Sequence, residues 1–258
     1  MRLTVIGCWG GSPRPGGACS GYLLEDGDDV LLLDCGPGVA GAVQHVRPLE
    51  AIDHVFVSHF HYDHVTDAGA IMYARLVRRI IGEPLGDVVF YATAKDPLVS
   101  ALAMDGAAHS VEIDEGKPLK IGRLTCTFLR TDHPVPCLAV RVENEEGESV
   151  VYTADGALTD RLVAFCAGAD VLVAECSLYA GVDGSVMGHM SCDDVARLAA
   201  GARPGTLVLS HLPIYGETSE LRDRVVELLP PGAVGRVVLA GQPCTAEGRL
   251  SIEVSRAD

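Results

Sequence analysis

The protein has 258 residues, 48% of them hydrophobic, and a formal net charge of -15 at pH 7. A chain of this size can bury its own core, and it contains no run approaching the roughly 20 apolar residues of a membrane span. The negative charge disfavours bulk RNA or DNA, whose binding relies on Lys and Arg meeting phosphates. With no membrane span and no cleavable apolar leader in view, we expect a cytoplasmic protein that acts on a small molecule.

The nine cysteines are scattered along the chain and form no Cys-x-x-Cys pair. Structural zinc sites built from thiolates need closely spaced pairs, so the sequence disfavours such a site. A reducing compartment, in which cysteines serve as small buried side chains, explains the pattern best.

Hydrophobic alternation, helical periodicity and turn residues predict the elements of the first half. In chain order they are a strand over residues 2–8, a Gly-rich loop over 9–21, a hairpin over 22–33 turning at Asp26-Gly27, a short helix over 36–46, a strand over 53–58, a helix over 64–81 and a strand over 88–91.

The second half is predicted in the same way. Its elements are a helix over 96–104, mostly strand over 111–151 with a solvated acidic tip at 143–148, a helix over 160–167, a strand over 171–174, a helix over 193–200 starting from Ser191 or Cys192, a strand over 207–210, a helix over 219–229, and strands over 237–239 and 250–254 that close the sheet. Because no linker or repeat interrupts this pattern, a single domain over residues 1–258 is predicted.

The run His59-x-His61-x-Asp63-His64 follows directly on an apolar strand. His59 and His61 are two residues apart and project to the same side of an extended backbone. Imidazole is the commonest metal ligand in proteins, and a carboxylate adds negative charge for the cation. A solvated His-rich turn is the alternative, but it does not explain four ligand-type side chains at this spacing. The run therefore predicts a metal site.

This run resembles the signature of the metallo-β-lactamase fold superfamily, and other landmarks of that family follow in order. They are Asp34 in Asp-Cys-Gly at a strand end, His133 after Asp132, Asp155 after the strand 151–154, and His211 after the strand 207–210. The resemblance covers essentially the whole chain. It implies an α/β (α+β) fold, the four-layer αββα sandwich of the superfamily.

The resemblance also implies a complete set of ligands for two divalent metal ions. The first ion would be held by His59, His61 and His133, the second by Asp63, His64 and His211, and Asp155 would bridge both. Zinc is the default for a His-rich site, and manganese or iron also suits mixed His and carboxylate positions. Asp34 would orient an imidazole by accepting its outer N–H; a turn-capping Asp before Gly36 is the alternative.

Two further segments resemble the phosphodiesterase-type branch of the superfamily, which includes ribonuclease Z. They are Gly188-His189-Met190-Ser191, and Glu175 in Ala-Glu-Cys-Ser. His189 would bind a phosphoryl oxygen or protonate the leaving group; the alternative is that His189 and Ser191 only cap a helix. The chain resembles short bacterial members of this branch, because it lacks the long basic arm with which ribonuclease Z grips tRNA.

The resemblance and the Gly-rich loop also yield candidates for catalysis and substrate binding. Catalytic candidates are Asp63, which is also a predicted ligand, His189 and Glu175, and substrate-binding candidates are Arg14, His189 and Ser191. Arg14 belongs to the Gly-rich loop, which could place backbone N–H groups near an anion or could simply connect strands. The other histidines, His45, His54 and His109, match no motif and are interpreted as surface or capping residues.

The predicted function is hydrolysis of a small, nucleotide-type phosphodiester by a water shared between two metal ions. Hydrolysis of an ester, thioester or lactone on the same site is the alternative. Apolar residues around the pocket at Met72, Tyr73, Met187 or Met190 would favour an acyl substrate, whereas Arg14 would favour a phosphate. A non-catalytic metal-binding protein is disfavoured because no ligand is missing. The sequence leaves the oligomeric state open, with a homodimer as one option.

Overall fold

The computed structural model describes residues 1–240 and 250–255. In chain order its strands are β1 (Arg2–Gly7), β2 (Gly21–Asp26), β3 (Asp29–Leu33), β4 (His54–Phe56), β5 (Val88–Thr93), β6 (Ala108–Ile113), β7 (Leu119–Ile121), β8 (Leu124–Arg130), β9 (Leu138–Glu143), β10 (Ser149–Tyr152), β11 (Val171–Glu175), β12 (Thr206–Ser210), β13 (Arg236–Leu239) and β14 (Ser251–Glu253). Its α-helices are α1 (Val39–Val43), α2 (Tyr62–Val65), α3 (Ala68–Ile80), α4 (Asp160–Cys166), α5 (Cys192–Ala202) and α6 (Thr218–Leu228). Short 3-10 helices lie at Leu49–Ala51 and Pro97–Leu102.

The strands form two mixed sheets of similar design. The order is β14-β1-β2-β3-β4-β5-β6 in the first sheet and β13-β12-β11-β10-β9-β8-β7 in the second. Antiparallel pairs join β14, β1, β2 and β3, whereas β3 to β6 run parallel. In the second sheet β7 to β10 are antiparallel, and β10 to β13 are parallel. The parallel strands need helical crossovers, which supply helices for the outer faces.

Apolar side chains divide between two cores because each strand alternates its faces. In β3, Leu31 and Leu33 belong to the core shared with the second sheet and with α5 and α6. The intervening Leu32 belongs to a smaller core with residues of α1 and α3, such as Val39 and Ile71. The layers are therefore helix, sheet, sheet, helix, which confirms the predicted four-layer sandwich.

Most predicted elements are confirmed within a few residues, but the helix predicted over 64–81 is interrupted. It is split into α2 and α3, because Asp67 is tied to the preceding segment at the break. Its N–H donates to the Cys35 carbonyl over 2.9 Å, and its carboxylate accepts the Ala40 N–H over 2.8 Å. Hydrophobic periodicity alone cannot reveal such a tertiary constraint.

Two other predictions are wrong in detail. The helix predicted over 96–104 is instead a 3-10 segment at Pro97–Leu102, where Asp96 caps the Leu98 N–H and Ala103 is already extended. The final strands do not close one sheet. Ile252 in β14 pairs with Leu3 in the first sheet, whereas β13 is the edge of the second.

The eight cysteines in the described residues are buried and form no disulfide, as the sequence predicted, and Cys244 lies outside those residues. Burial raises the pKa of thiols such as Cys126 and Cys166 to about 12, which keeps them protonated and unreactive. Among the helices of the described chain, none has the length and apolar character needed to cross a membrane.

A buried guanidinium braces the outer layer behind the first sheet. Arg75 of α3 is only 1% exposed, and it donates to the backbone carbonyls of Glu50, Ile52 and Gly86 and to the carboxylate of Asp53. These acceptors precede β4 and β5, so one side chain joins α3 to the starts of two neighbouring strands.

Replacing Arg75 with Met should lower the free energy of unfolding by about 3 kcal/mol, because buried carbonyls lose their donor. Urea denaturation of the purified protein measures this loss. Arg78→Met on the same helix is the matched control, since the ion pairs of an exposed arginine contribute at most about 1 kcal/mol. Equal losses in the two variants would contradict the proposed bracing role.

Candidate metal centre

The residues predicted to bind metal come together where four strands end. The run from His59 follows β4 of the first sheet, and α2 carries its last two members. His133 follows β8, Asp155 follows β10, and His211 follows β12, all in the second sheet. Both sheets therefore contribute side chains to one edge of the sandwich.

These side chains form two adjacent clusters. The first cluster is His59, His61, His133 and Asp155, and the second cluster is Asp63, His64 and His211; within each, the ligand atoms lie within 4.8 Å of one another. The structure thus brings together all seven predicted ligands.

Three imidazoles of the first cluster point ring nitrogens at a common position. His61 Nδ1 lies 3.0 Å from His59 Nε2 and 3.1 Å from His133 Nε2. Around a tetrahedral ion with bonds of 2.0–2.1 Å, neighbouring ligand nitrogens are about 3.3 Å apart. The nitrogen separations therefore fit a small divalent cation.

The carboxylate of Asp155 joins the two clusters. Its Oδ2 lies 3.6 Å from His59 Nε2 in the first cluster, and 3.3 Å from both His64 Nε2 and His211 Nε2 in the second. Asp63 Oδ2 completes the second cluster at 3.1 Å from His211 Nε2. One carboxylate within reach of both groups has the position of a bridging ligand.

The protonation chemistry of the donors also suits a metal. Burial disfavours the charged ring and lowers the pKa of His59 and His61, which leaves nitrogen lone pairs available. Burial alone would raise the pKa of Asp63 and Asp155, but the imidazoles of the second cluster outweigh it and hold both pKa values low. Neutral imidazoles and ionised carboxylates are the forms that bind cations.

Two buried polar atoms at the centre support this assignment. His64 Nε2 and Asp155 Oδ1 have no partner in hydrogen-bond geometry among the described residues, and such buried atoms are costly without a partner. Burial works against a charged imidazole, but the carboxylates around His64 and His211 outweigh it and raise the pKa of both. A divalent cation would compensate the same carboxylates and displace those protons.

Asp34 holds the outer side of the second cluster. Its backbone is in the left-handed region, with φ 58°, and Oδ2 accepts from His64 Nδ1 over 2.8 Å, Ser58 Oγ over 2.7 Å and Tyr152 OH over 2.8 Å. Its other oxygen accepts the Ser58 N–H. Asp34 thus contacts an imidazole as the sequence predicted, and its bonds reach far along the chain rather than capping the local turn at Gly36.

The Gly-rich loop packs directly on the second cluster. The Gly11 N–H donates to Asp63 Oδ2 over 2.6 Å. A Cβ at Gly10 would lie 2.6 Å from ring atoms of His211, so only glycine allows this approach. The loop therefore holds two ligands in place.

Arg14 of the same loop does not point a free charge at the centre. Its guanidinium lies 4.4 Å from the centroid of the Trp9 ring and donates to the carbonyls of Pro213 and Gly216. These contacts anchor the segment that follows His211, so Arg14 secures the loop rather than presenting its charge to a substrate.

His189 lies beside the two clusters, and Glu175 holds it there. Its Nδ1 is 3.1 Å from Glu175 Oε2, and a ring nitrogen lies within 4.8 Å of both Asp155 and His211. Burial disfavours the charged ring, but the hydrogen bond and charge of Glu175 outweigh it and raise the pKa of His189 to about 9. The preceding residue, Gly188, has φ 69° and accepts a hydrogen bond from His133 Nδ1 over 2.9 Å.

Ser191 has the structural role that the sequence left as an alternative. It is the N-cap of α5, and its hydroxyl lies in a capping box with Asp194. At 3% exposure it is buried, so the structure does not support its predicted contact with substrate. The unmatched histidines lie apart from the clusters: His45 and His109 are exposed, and His54 on β4 meets the Tyr91 hydroxyl.

Residues 30–212 match the family described as Beta-lactamase superfamily domain. The chain belongs to the metallo-β-lactamase superfamily. It is 38% identical over 223 residues to the probable metallo-hydrolase YhfI of Bacillus subtilis, covering 86% of this chain and 91% of that protein. The crystal structure of YhfI superposes with a TM-score of 0.88 at 36% identity, covering 93% of this chain and 96% of that one.

More distant structures share the fold of this superfamily member. The short form of human tRNase Z has a TM-score of 0.75 at 17% identity, covering 99% of this chain and 100% of its own. A diphosphatase of the PhnP family has a TM-score of 0.74 at 16% identity, covering 99% and 98% of the two chains. The predicted superfamily is confirmed by the family match and by YhfI, and these more distant structures share its fold.

Sequence reasoning missed several residues that support the ligands. Tyr152 and Ser58 bond Asp34, and Ser177 Oγ lies 2.8 Å from His211 Nδ1. Only Ser177 had a usable signal. It is two residues beyond Glu175, a spacing that puts both side chains on one side of extended backbone.

Replacing Ser191 with Ala should lower the free energy of unfolding by about 1 kcal/mol, the usual cost of a lost helix cap. Metal content per chain should stay unchanged, because the hydroxyl contacts no ligand. Urea unfolding and elemental analysis measure the two quantities, with Ser191→Thr as the cap-preserving control. An Ala variant with undiminished stability would contradict the capping assignment.

Proposed function

We propose that the chain is a two-metal hydrolase of small, nucleotide-type phosphodiesters. The observation that carries the proposal is the position of His189, whose ring is hydrogen-bonded to buried Glu175 at the edge of the two clusters. A positive donor at that place complements an anionic phosphoryl group or its leaving oxygen.

The metal ions would be bound by the residues already described. The first cluster would hold one ion, the second cluster the other, and Asp155 would contact both. When bound, such a pair of ions activates a water molecule and neutralises charge on the phosphoryl oxygens. Zinc is the first candidate for this His-rich set, with manganese or iron as alternatives.

The chain's own residues would then position and protonate the substrate. His189 would donate its Nε2 proton to the departing oxygen, while Glu175 keeps the ring oriented through Nδ1. Asp63 is held by the Gly11 N–H and by His211, so it can serve both as a ligand and as a nearby proton acceptor. Asp34 fixes His64 from behind.

The residues proposed to distinguish substrates give little support to an acyl pocket. Met72 and Met190 are buried in the hydrophobic cores, and Tyr73 is exposed on α3, so only Met187 remains a candidate beside the site. Arg14 does not support a phosphate-binding pocket either, because its guanidinium donates to backbone carbonyls. The choice of a phosphodiester therefore depends on His189.

The size of the substrate follows from charge. A net charge of -15 opposes a long polyanion, and a small phosphodiester needs only local positive charge. Among the relatives, the named tRNase Z and the PhnP-family diphosphatase both suggest phosphate chemistry. We therefore propose that the protein hydrolyses a small substrate in the cytoplasm and has no membrane or nucleic-acid partner.

Removing metal should abolish hydrolysis of bis(p-nitrophenyl) phosphate, and adding back two equivalents of zinc or manganese should restore it. Asp155→Asn should lower kcat/KM by at least about 100-fold, since it removes the charge shared by both ions. The control is Asp132→Asn, an exposed carboxylate beside His133 that belongs to neither cluster. If the metal-loaded protein cleaves thioesters or lactones but no phosphodiester, the proposed substrate class is wrong.

Replacing His189 with Asn should slow hydrolysis most for substrates whose leaving group must be protonated as it departs. For a cyclic nucleotide, which releases an alkoxide, kcat should fall by about 100-fold or more. For the phosphodiester bis(p-nitrophenyl) phosphate the fall in kcat should be much smaller, because nitrophenolate departs unprotonated. The control is His109→Asn at an exposed position. Equal losses on both substrates would show that His189 is not a proton donor.

A further inference from the structure

Ser177 lies between the second cluster and the His189–Glu175 pair. It follows β11, and its Oγ is 2.8 Å from His211 Nδ1 and 2.5 Å from Glu175 Oε2. The neighbouring Cys176 is fully buried in the main hydrophobic core. Alternation along the extended chain thus directs the serine and the glutamate to the site and the cysteine away from it.

The direction of each hydrogen bond is fixed by its surroundings. His211 Nε2 faces the carboxylates of Asp63 and Asp155 at 3.1 and 3.3 Å. With Nε2 bound to the second ion beside these carboxylates, Nδ1 would be the nitrogen that carries the proton, and it would donate to Ser177 Oγ. The serine hydroxyl in turn donates to Glu175, which is closer than the other available acceptor, the His211 carbonyl at 3.3 Å.

Glu175 is the point at which these bonds converge. The residue is 1% exposed, and its two carboxylate oxygens accept hydrogen bonds from Ser177, His189 and the Gly156 N–H, the last over 2.6 Å. Gly156 directly follows the bridging Asp155. One buried carboxylate therefore contacts the candidate proton donor, the backbone of the bridging ligand and, through Ser177, the ligand His211.

We propose that Ser177 is a positioning residue that sets the ring of His211 for the second metal and aligns Glu175 for His189. This inference rests on the two-metal centre of the proposed function. His211 needs such support because its backbone lies at φ 48°, a conformation that costs non-glycine residues energy and persists only when neighbours hold it. Gly10 closes on the ring as well, in a contact too tight for a Cβ.

Loss of the hydroxyl would leave two buried groups without their partner. The His211 N–H would lose its acceptor, and Glu175 would lose its shortest donor. Removing such an outer partner of a metal-bound imidazole weakens metal affinity by about 10- to 100-fold. The first cluster shares no contact with Ser177, so the first ion should remain bound.

The test compares Ser177→Ala with Ser177→Thr, which keeps the hydroxyl. Metal dissociation constants are measured by chelator competition, and the visible spectrum of the cobalt(II)-loaded protein reports the geometry of each site. We expect the Ala variant to bind one ion normally and the second about 10- to 100-fold more weakly, and Thr to restore most of the affinity and the spectrum. Unchanged affinity for both ions in the Ala variant would overturn the inference.

Ser149→Ala is the matched control. Ser149 is 1% exposed, and its hydroxyl donates to buried Asp170 over 2.9 Å at the opposite end of β10 from Asp155. It should lose stability without any change in metal affinity. If both variants lost the second ion equally, general destabilisation would be the cause and the positioning role would be wrong.

Metal binding needs no substrate, so the result is separable from the proposed activity. Selective loss of the second ion from Ser177→Ala, in a protein that cleaves no phosphodiester, would support the inference and reject the proposed substrate. Phosphodiester turnover by the wild type, together with unchanged metal affinity in Ser177→Ala, would support the proposed substrate and reject the role of Ser177.

Discussion

The buried carboxylate of Asp155 is the interaction around which the centre is arranged. It is 1% exposed, and its Oδ2 lies 3.3 Å from imidazoles of the second cluster and 3.6 Å from His59 in the first. A carboxylate so far from water requires positive charge or donors nearby. The chain holds it firmly: Ala154, just before it, is at φ 50°, and Gly156, just after it, donates to Glu175.

The imidazoles that meet this carboxylate are fixed from behind, each by a different group. The outer nitrogen of His64 is hydrogen-bonded to Asp34, and that of His211 to Ser177. The outer nitrogen of His133 is hydrogen-bonded to the Gly188 carbonyl. His59 Nδ1 lies 3.0 Å from the Ser58 hydroxyl. Each contact fixes which nitrogen carries the proton, and so directs the opposite nitrogen at the metal position. The order of the centre therefore depends on a shell that comes from both sheets.

The difference between the ligands and the groups that hold them explains what the sequence could predict. The run from His59 to His64 indicates a metal site by its own spacing, whereas His133, Asp155 and His211 could be assigned only through the resemblance to the superfamily's motifs at strand ends. Apart from Asp34 and Ser177, the residues that hold these ligands could not be identified from local sequence. Tyr152 reaches Asp34 across 118 residues, and that pairing exists only once the two sheets pack together.

The errors have the same origin. Asp67 interrupts a helix because it bonds Cys35 and Ala40, and the strand near Ile252 pairs with β1 at the other end of the chain. The charge of Arg14 suggests a contact with substrate, yet backbone carbonyls already occupy its guanidinium. Periodicity and residue type describe what a segment can do, whereas tertiary contacts select which of those options it adopts.

Electrostatics links the centre to the choice of substrate. The surface as a whole is acidic, so an anionic substrate must find its positive charge within the site itself. In the proposed function His189, whose pKa is raised by Glu175, would supply one such charge, and the bound ions would supply the rest. Because the seven ligands include only two carboxylates, Asp63 and Asp155, a pair of divalent ions would leave the centre with a net positive charge. The proposed monoanionic phosphodiester would then be attracted to a metal-loaded centre, so metal loading would affect substrate binding as well as chemistry.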